Sequence, residues 1–249
     1  HTQGWAEAIN DAGIIVGVSK DENSDGGGVV WRVFVDEAGT VSVDGPLTLP
    51  ALAGDWEAWG VDVNELVGGS FQVAGTSLST PELPGHTACR WTLSVRADGT
   101  LAPPVPPVSL GTLGLNDPSQ SYSLSYGMND LGAVCGLSDE MPFVAPAGQT
   151  AQPLPVPRGT VSGRAHAINN LGEIAGQVEI VPRKNYAGFY PYAYLWKDGA
   201  MVNLEKQIGD DSGSDRLWYA YHINDGGVIA GLGRYDVEHR GFLLIPNAP

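Results

Sequence analysis

The chain has 249 residues and a formal net charge of −15, long enough for one large domain or two small ones. That charge excludes nucleic acid or an anionic membrane as a partner held by bulk electrostatics. Hydrophobic residues reach 43 %, while 34 glycines and 18 prolines fill about a fifth of the chain, so global disorder is excluded and many turns are implied.

No apolar run approaches the ~20 residues of a membrane helix. The chain starts at His1, without Met or a signal-type segment, which reads as a processed, trimmed or tagged product. Cys89 and Cys135 permit either one bridge or two buried thiols.

In chain order, one motif returns five times. It reads Ala6-Glu7-Ala8-Ile9-Asn10-Asp11-Ala12-Gly13-Ile14-Ile15-Val16-Gly17 in its first copy. The later copies centre on Asn64, Asn129, Asn169 and Asn224, at spacings of 54, 65, 40 and 55. Each predicts a short strand ending at Asn, then an Asx-x-Gly turn in which the side chain bonds its own backbone and Gly supplies φ > 0. A β-rich second strand follows. A third carries Trp31, Trp91 or Trp196, turns at Ala38-Gly39, Asp98-Gly99 or Asp198-Gly199, and leads to a fourth. The third copy keeps Phe143-Val144-Ala145 without a tryptophan, and the second is interrupted at Val67-Gly68-Gly69.

Four short strands per unit, with no helix longer than two turns, predict an all-β fold: a five-bladed β-propeller of four-stranded antiparallel blades. The whole chain, 1–249, reads as one propeller domain with blades near 5–50, 58–110, 123–156, 164–207 and 218–246. The last blade ends at Phe242 to Ile245, leaving three strands unless another segment supplies the fourth. Its open edge is a pairing liability, and it suggests self-association.

The pattern Ala-x-x-Ile-Asn-x-x-Gly-x-Ile-x-Gly, with the ending Arg240-Gly241-Phe242-Leu243-Leu244-Ile245-Pro246, resembles the bacterial extracellular HAF repeat family. The resemblance covers nearly the whole chain. It implies a secreted or surface-exposed β-propeller and no particular reaction.

The first-to-second turns are short, whereas the second-to-third loops (20–28, 77–87, 178–192) and the links between units vary. Function concentrates on variable loops held by a rigid frame. Trp5, Trp56, Trp59, Trp218 and Tyr219 lie near the innermost strands, just before them, beside the channel mouth. Five residues before each motif Asn stand Trp5, Trp59, Leu124, Arg164 and Tyr219. Three before it stand Glu7, Val61, Tyr126, His166 and Tyr221, and the position between is always small. Aromatics beside Glu7, Arg164 and His166 suit a sugar, whose apolar faces stack while its hydroxyls meet polar groups. They equally suit a packed channel plug. The basic, aromatic stretch Arg183, Lys184, Tyr186, Phe189 and Tyr190 could reach over this mouth.

The resulting expectation is a non-catalytic module that binds a glycan or surface protein. A glycan hydrolase is one alternative, with Glu7 and Asp62 as a carboxylate pair about 5 to 9.5 Å apart. An assembly protein joined through the fifth blade is the other. No cofactor is expected beyond a loose calcium site at Asp21, Asn23 and Asp25. Arg32 stands at the twelfth position of that loop, where an EF-hand needs an acidic residue.

Overall fold

The computed structural model describes residues 3–20, 26–35, 38–79, 85–181, 190–209, 214–236 and 238–246. The motif asparagine shapes each unit. Asn10 Oδ1 accepts the N–H groups of Ala12 and Ile14 at 3.1 and 3.0 Å, and Gly13 N–H returns to Asn10 O. Gly13 sits at φ 74°, which the missing Cβ permits. Asn129, Asn169 and Asn224 close the same loop on Ala133, Glu173 and Val228. In the second unit Asn64 Oδ1 instead accepts from Gln72, because a small turn bridged between Val67 and Ser70 intervenes.

These turns connect antiparallel strands in five sheets. The first contains β1 (Gln3–Ile9), β2 (Ile14–Lys20), β3 (Gly26–Val35) and β4 (Val41–Thr48). The second contains β5 (Glu57–Val63), β6 (Ser70–Leu78), β7 (His86–Ser94) and β8 (Val108–Ser109). The third contains β9 (Ser123–Met128), β10 (Val134–Ser138), β11 (Met141–Ala145) and β12 (Gln152–Pro153), and the fourth β13 (Thr160–Ile168), β14 (Ile174–Ile180), β15 (Tyr190–Lys197) and β16 (Ala200–Asn203). The fifth has three strands, β17 (Ser214–Ile223), β18 (Ile229–Tyr235) and β19 (Glu238–Leu244). The only helical turn among the described residues is Leu204–Gln207. Proline-rich sequence beside β8 removes ladder donors, which accounts for a strand of two residues there.

A β-bulge interrupts the first strand of each unit, between Ala6 and Ala8 in β1 and at equivalent places in the others. The bulge presses a carbonyl onto the last glycine of the motif. A Cβ on Gly17, Gly75, Gly136, Gly176 or Gly231 would stand 2.0–2.1 Å from the carbonyl oxygen of Trp5, Trp59, Leu124, Arg164 or Tyr219. The requirement is close approach rather than positive φ.

Alternation then sorts side chains between neighbouring sheets. Val63, Met128 and Ile168, each just before the motif Asn, are buried against the preceding sheet. Val16, Ala74, Cys135 and Ala175 point to the following one. Trp91 and Trp196 also face backward, and their indole N–H groups donate to Pro50 O and Pro155 O in the preceding links. Trp31 has no preceding sheet and is only half-buried. Cys89 and Cys135 are free, fully buried and in different clusters, so the two-thiol alternative holds. Burial pushes both thiols well above the usual range.

Two polar ladders tie each sheet to the next. Asn10 Nδ2 donates to Asn64 O at 2.8 Å, Asn64 to Asp130 O at 3.4 Å, Asn129 to Asn169 O at 3.0 Å and Asn169 to Asn224 O at 3.0 Å. Beside it, the backbone N–H of Asp11, Glu65, Asp130 and Asn170 donates in turn to a side-chain oxygen of Glu65, Asp130, Asn170 and Asp225 at 2.8–3.0 Å. Extensive contacts run between successive sheets, and among the described residues none of that size joins the fifth to the first.

Candidate functional site

The bulged first strands decide which residues share a surface. Gly60, Ser125, Ala165 and Ala220 are buried between sheets. A Cβ on Gly60 would meet Val16 Cγ2 at 2.3 Å, which explains why this row is small. Residues on either side emerge on the opposite surface of these strands. There Trp5, Glu7, Trp59, Arg164 and Tyr221 are exposed, and Tyr126, His166 and Tyr219 are half-buried. Trp5, Trp59, Trp218 and Tyr219 lie within β1, β5 and β17 rather than just before them, whereas Trp56 does precede β5.

Three consecutive sheets bring their rings together. Tyr126 and His166 have centroids 5.6 Å apart, His166 and Tyr221 5.2 Å, and Tyr219 and Tyr221 stack at 5.6 Å with planes 10° apart. Aromatic pairs prefer such separations. Arg164 stands exposed beside them and makes no hydrogen bond or ion pair among the described residues. His166 Nε2 contacts Gln177 Oε1. Burial raises the phenols of Tyr126 and Tyr219, and the Arg164 charge opposes it in both. At the same end, Tyr122 donates its hydroxyl to Glu140 in the tight β10–β11 turn, where Asp139 and Glu140 have φ of 50° and 66°.

Burial pulls the His166 imidazole down to about 4, with the Gln177 contact opposing and the charges of Arg164 and His222 assisting. The folded value therefore lies below the ordinary 6.5. Its stabilisation is complete above pH 6.5 and is lost as pH falls toward 4, by up to about 3 kcal/mol. Asp62, raised chiefly by burial, has the opposite sign and acts only where carboxylates begin to protonate. Urea midpoints of the native chain are expected to fall over this window more steeply than those of His166→Gln. Parallel curves would contradict the assignment.

Trp59 Nε1 donates to Glu57 Oε1 at 2.9 Å, and Lys20 Nζ lies 4.0 Å from that carboxylate and 5.9 Å from the Trp59 ring centroid. Trp5 and Trp56 are 46 % and 53 % exposed. These three tryptophans make no ring contact with the tyrosine group among the described residues. Trp218 meets His239 edge-on at 4.7 Å and so packs on the third strand of its own sheet. Asp62 Oδ2 accepts Met128 N–H at 2.7 Å and its Oδ1 accepts Val63 N–H at 2.9 Å, so this carboxylate braces the second sheet against the third. The charge of His222, in the fifth sheet, also reaches Asp62.

Asp21, Asn23 and Asp25 lie outside the described residues, as do Arg183, Lys184, Tyr186 and Phe189 of the basic aromatic stretch. Among the described residues no three His, Cys, Asp or Glu side chains could hold a metal ion together. Nor is any described helix long and apolar enough to cross a membrane. Sequence reasoning missed the Tyr122–Glu140 pair, Gln177 and the cross-sheet ladders. Only the recurrence of Asn itself hinted at the last. No family model matches this chain, and no curated protein matches it.

Proposed function

We propose that this chain is a non-catalytic, glycan-binding module. Its five sheets act as propeller-type blades whose first strands line the binding surface. The observation that carries the reading is the continuous group Tyr126, His166, Tyr221 and Tyr219, with ring centroids 5.2–5.6 Å apart next to the exposed Arg164. Aromatic faces take the apolar C–H face of a pyranose, and a guanidinium and phenols supply directional partners for its hydroxyls. Trp5 and Trp59 extend the same rows over the first two sheets, room for several sugar residues.

The acidic surface, with a net charge of −15, favours neutral over polyanionic glycans. The repeat's resemblance to HAF proteins supports a location outside the cell or on its surface. Asp62, bonded to two backbone N–H groups, is poorly placed to serve Glu7 as a hydrolytic partner.

A glycan array probed with the intact chain, with calcium and with chelator, tests the reading. Retention of a defined set of neutral oligosaccharides, intact after incubation, is expected. A blank array overturns the reading, and released cleavage products would replace it with hydrolysis. A hit lost in chelator would assign calcium to the loop at Asp21.

A further inference from the structure

We propose that copies of this chain join head to tail, the fifth sheet of one receiving the first sheet of the next. The two ends of the row expose the two halves of an interface that the chain builds internally four times. At the fifth sheet Asn224 is exposed, and neither its side-chain amide nor the Asp225 backbone N–H has an acceptor among the described residues. Leu243 and Ile245 beside them are 60 % and 68 % exposed. At the first sheet Ile9 is 64 % exposed, whereas its counterparts Val63, Met128 and Ile168 are 8 %, 7 % and 8 % exposed. The Asp11 carboxylate there also accepts from no donor among the described residues.

The halves match. In each internal junction an Asn amide reaches across to the next unit's backbone carbonyl, and the following N–H donates to the next unit's side-chain oxygen. Asn224 and Asp225 offer those donors, and Asn10 and Asp11 offer those acceptors. Ile9 supplies the apolar residue that three of the four internal junctions bury behind the ladder and the fourth partly buries. Such a contact is heterologous, so it extends as an open chain or a larger ring. Each copy carries −15, and Asp225 would stand near the partner's Asp11, so added salt should strengthen association by screening. This contact lies on the sheet face and differs from edge pairing along β19.

Sedimentation velocity of the full chain over a wide concentration range, at low and high salt, is the test. A series of masses at multiples of one chain is expected, shifted upward by salt. Leu243→Glu disables one end and Ile9→Glu the other, both at exposed positions, and each alone should be monomeric. Their mixture should give a species of twice the monomer mass and nothing larger, because one intact end of each remains. A monomer at every concentration overturns the proposal. So does association that survives either substitution, or a mixture that stays monomeric.

Discussion

Gly75→Ala is expected to cost about 3–5 kcal/mol, a large part of the stability of a typical domain. Its Cβ would lie 2.0 Å from Trp59 O and 2.8 Å from Trp91 Cζ3. The carbonyl belongs to the bulge of β5 and cannot retreat without breaking the ladder, and the indole is fully buried. Gly172→Ala makes the useful contrast. Gly172 has φ 77°, but nothing lies within 4 Å of its added Cβ, so only the backbone penalty of about 1–2 kcal/mol applies. Chemical denaturation of both variants checks the difference. Equal losses would contradict the close-approach account of the last motif glycine.

Asn169→Ala is expected to cost about 3–4 kcal/mol, since it removes several buried hydrogen bonds and strands their partners. Its Oδ1 accepts Leu171 and Glu173 N–H at 3.1 and 2.9 Å, and its Nδ2 donates to Glu173 Oε2 at 2.8 Å and Asn224 O at 3.0 Å. Glu173, held low first by Lys197 at 2.5 Å and then by Asn169, would keep the lysine and lose the amide. Asn169→Asp separates the two roles of this side chain. Aspartate keeps the turn acceptor, yet sets a carboxylate against Glu173 and the Asn224 carbonyl. If the donor across the sheets matters, aspartate fails to rescue. Rescue to native stability would mean that the asparagine serves its turn alone.

The parts of this fold that were legible in sequence are those written locally. Asn10 to Gly13 announces its turn because Asn and Gly suit that backbone and few other residues do. The tryptophan at the third strand predicts a recurrent packing position, which Trp91 and Trp196 take and Trp31 does not; a three-stranded last sheet is one of two readings of the fifth unit, and three strands are described there. The second role of the asparagine was hidden because the turn already accounted for the residue. The acceptor lies 40 to 66 residues away, and no local pattern encodes it. The last motif glycine was hidden in a related way, since its cause is a carbonyl on the neighbouring strand.

For the candidate site, periodicity placed Tyr126, His166 and Tyr221 on one row, and the structure brings them into ring contact. It could not separate Trp218, one residue from Tyr219, because a bulge between Leu217 and Tyr219 changes which way successive side chains face. Nor could it show that Asp62 is committed to Met128. That depends on how sheets two and three meet.

The most direct test is calorimetric titration of the array's best-retained oligosaccharide into the native chain and into Trp59→Ala/Arg164→Ala/Tyr219→Ala. All three substitutions fall on the first strands of their sheets, at exposed or half-buried side chains, so the sheets should remain intact. With about 1–2 kcal/mol for each anchor, affinity should fall at least about 100-fold while the urea midpoint changes little. Unchanged affinity in a folded triple variant would contradict the claim that this first-strand face binds glycan.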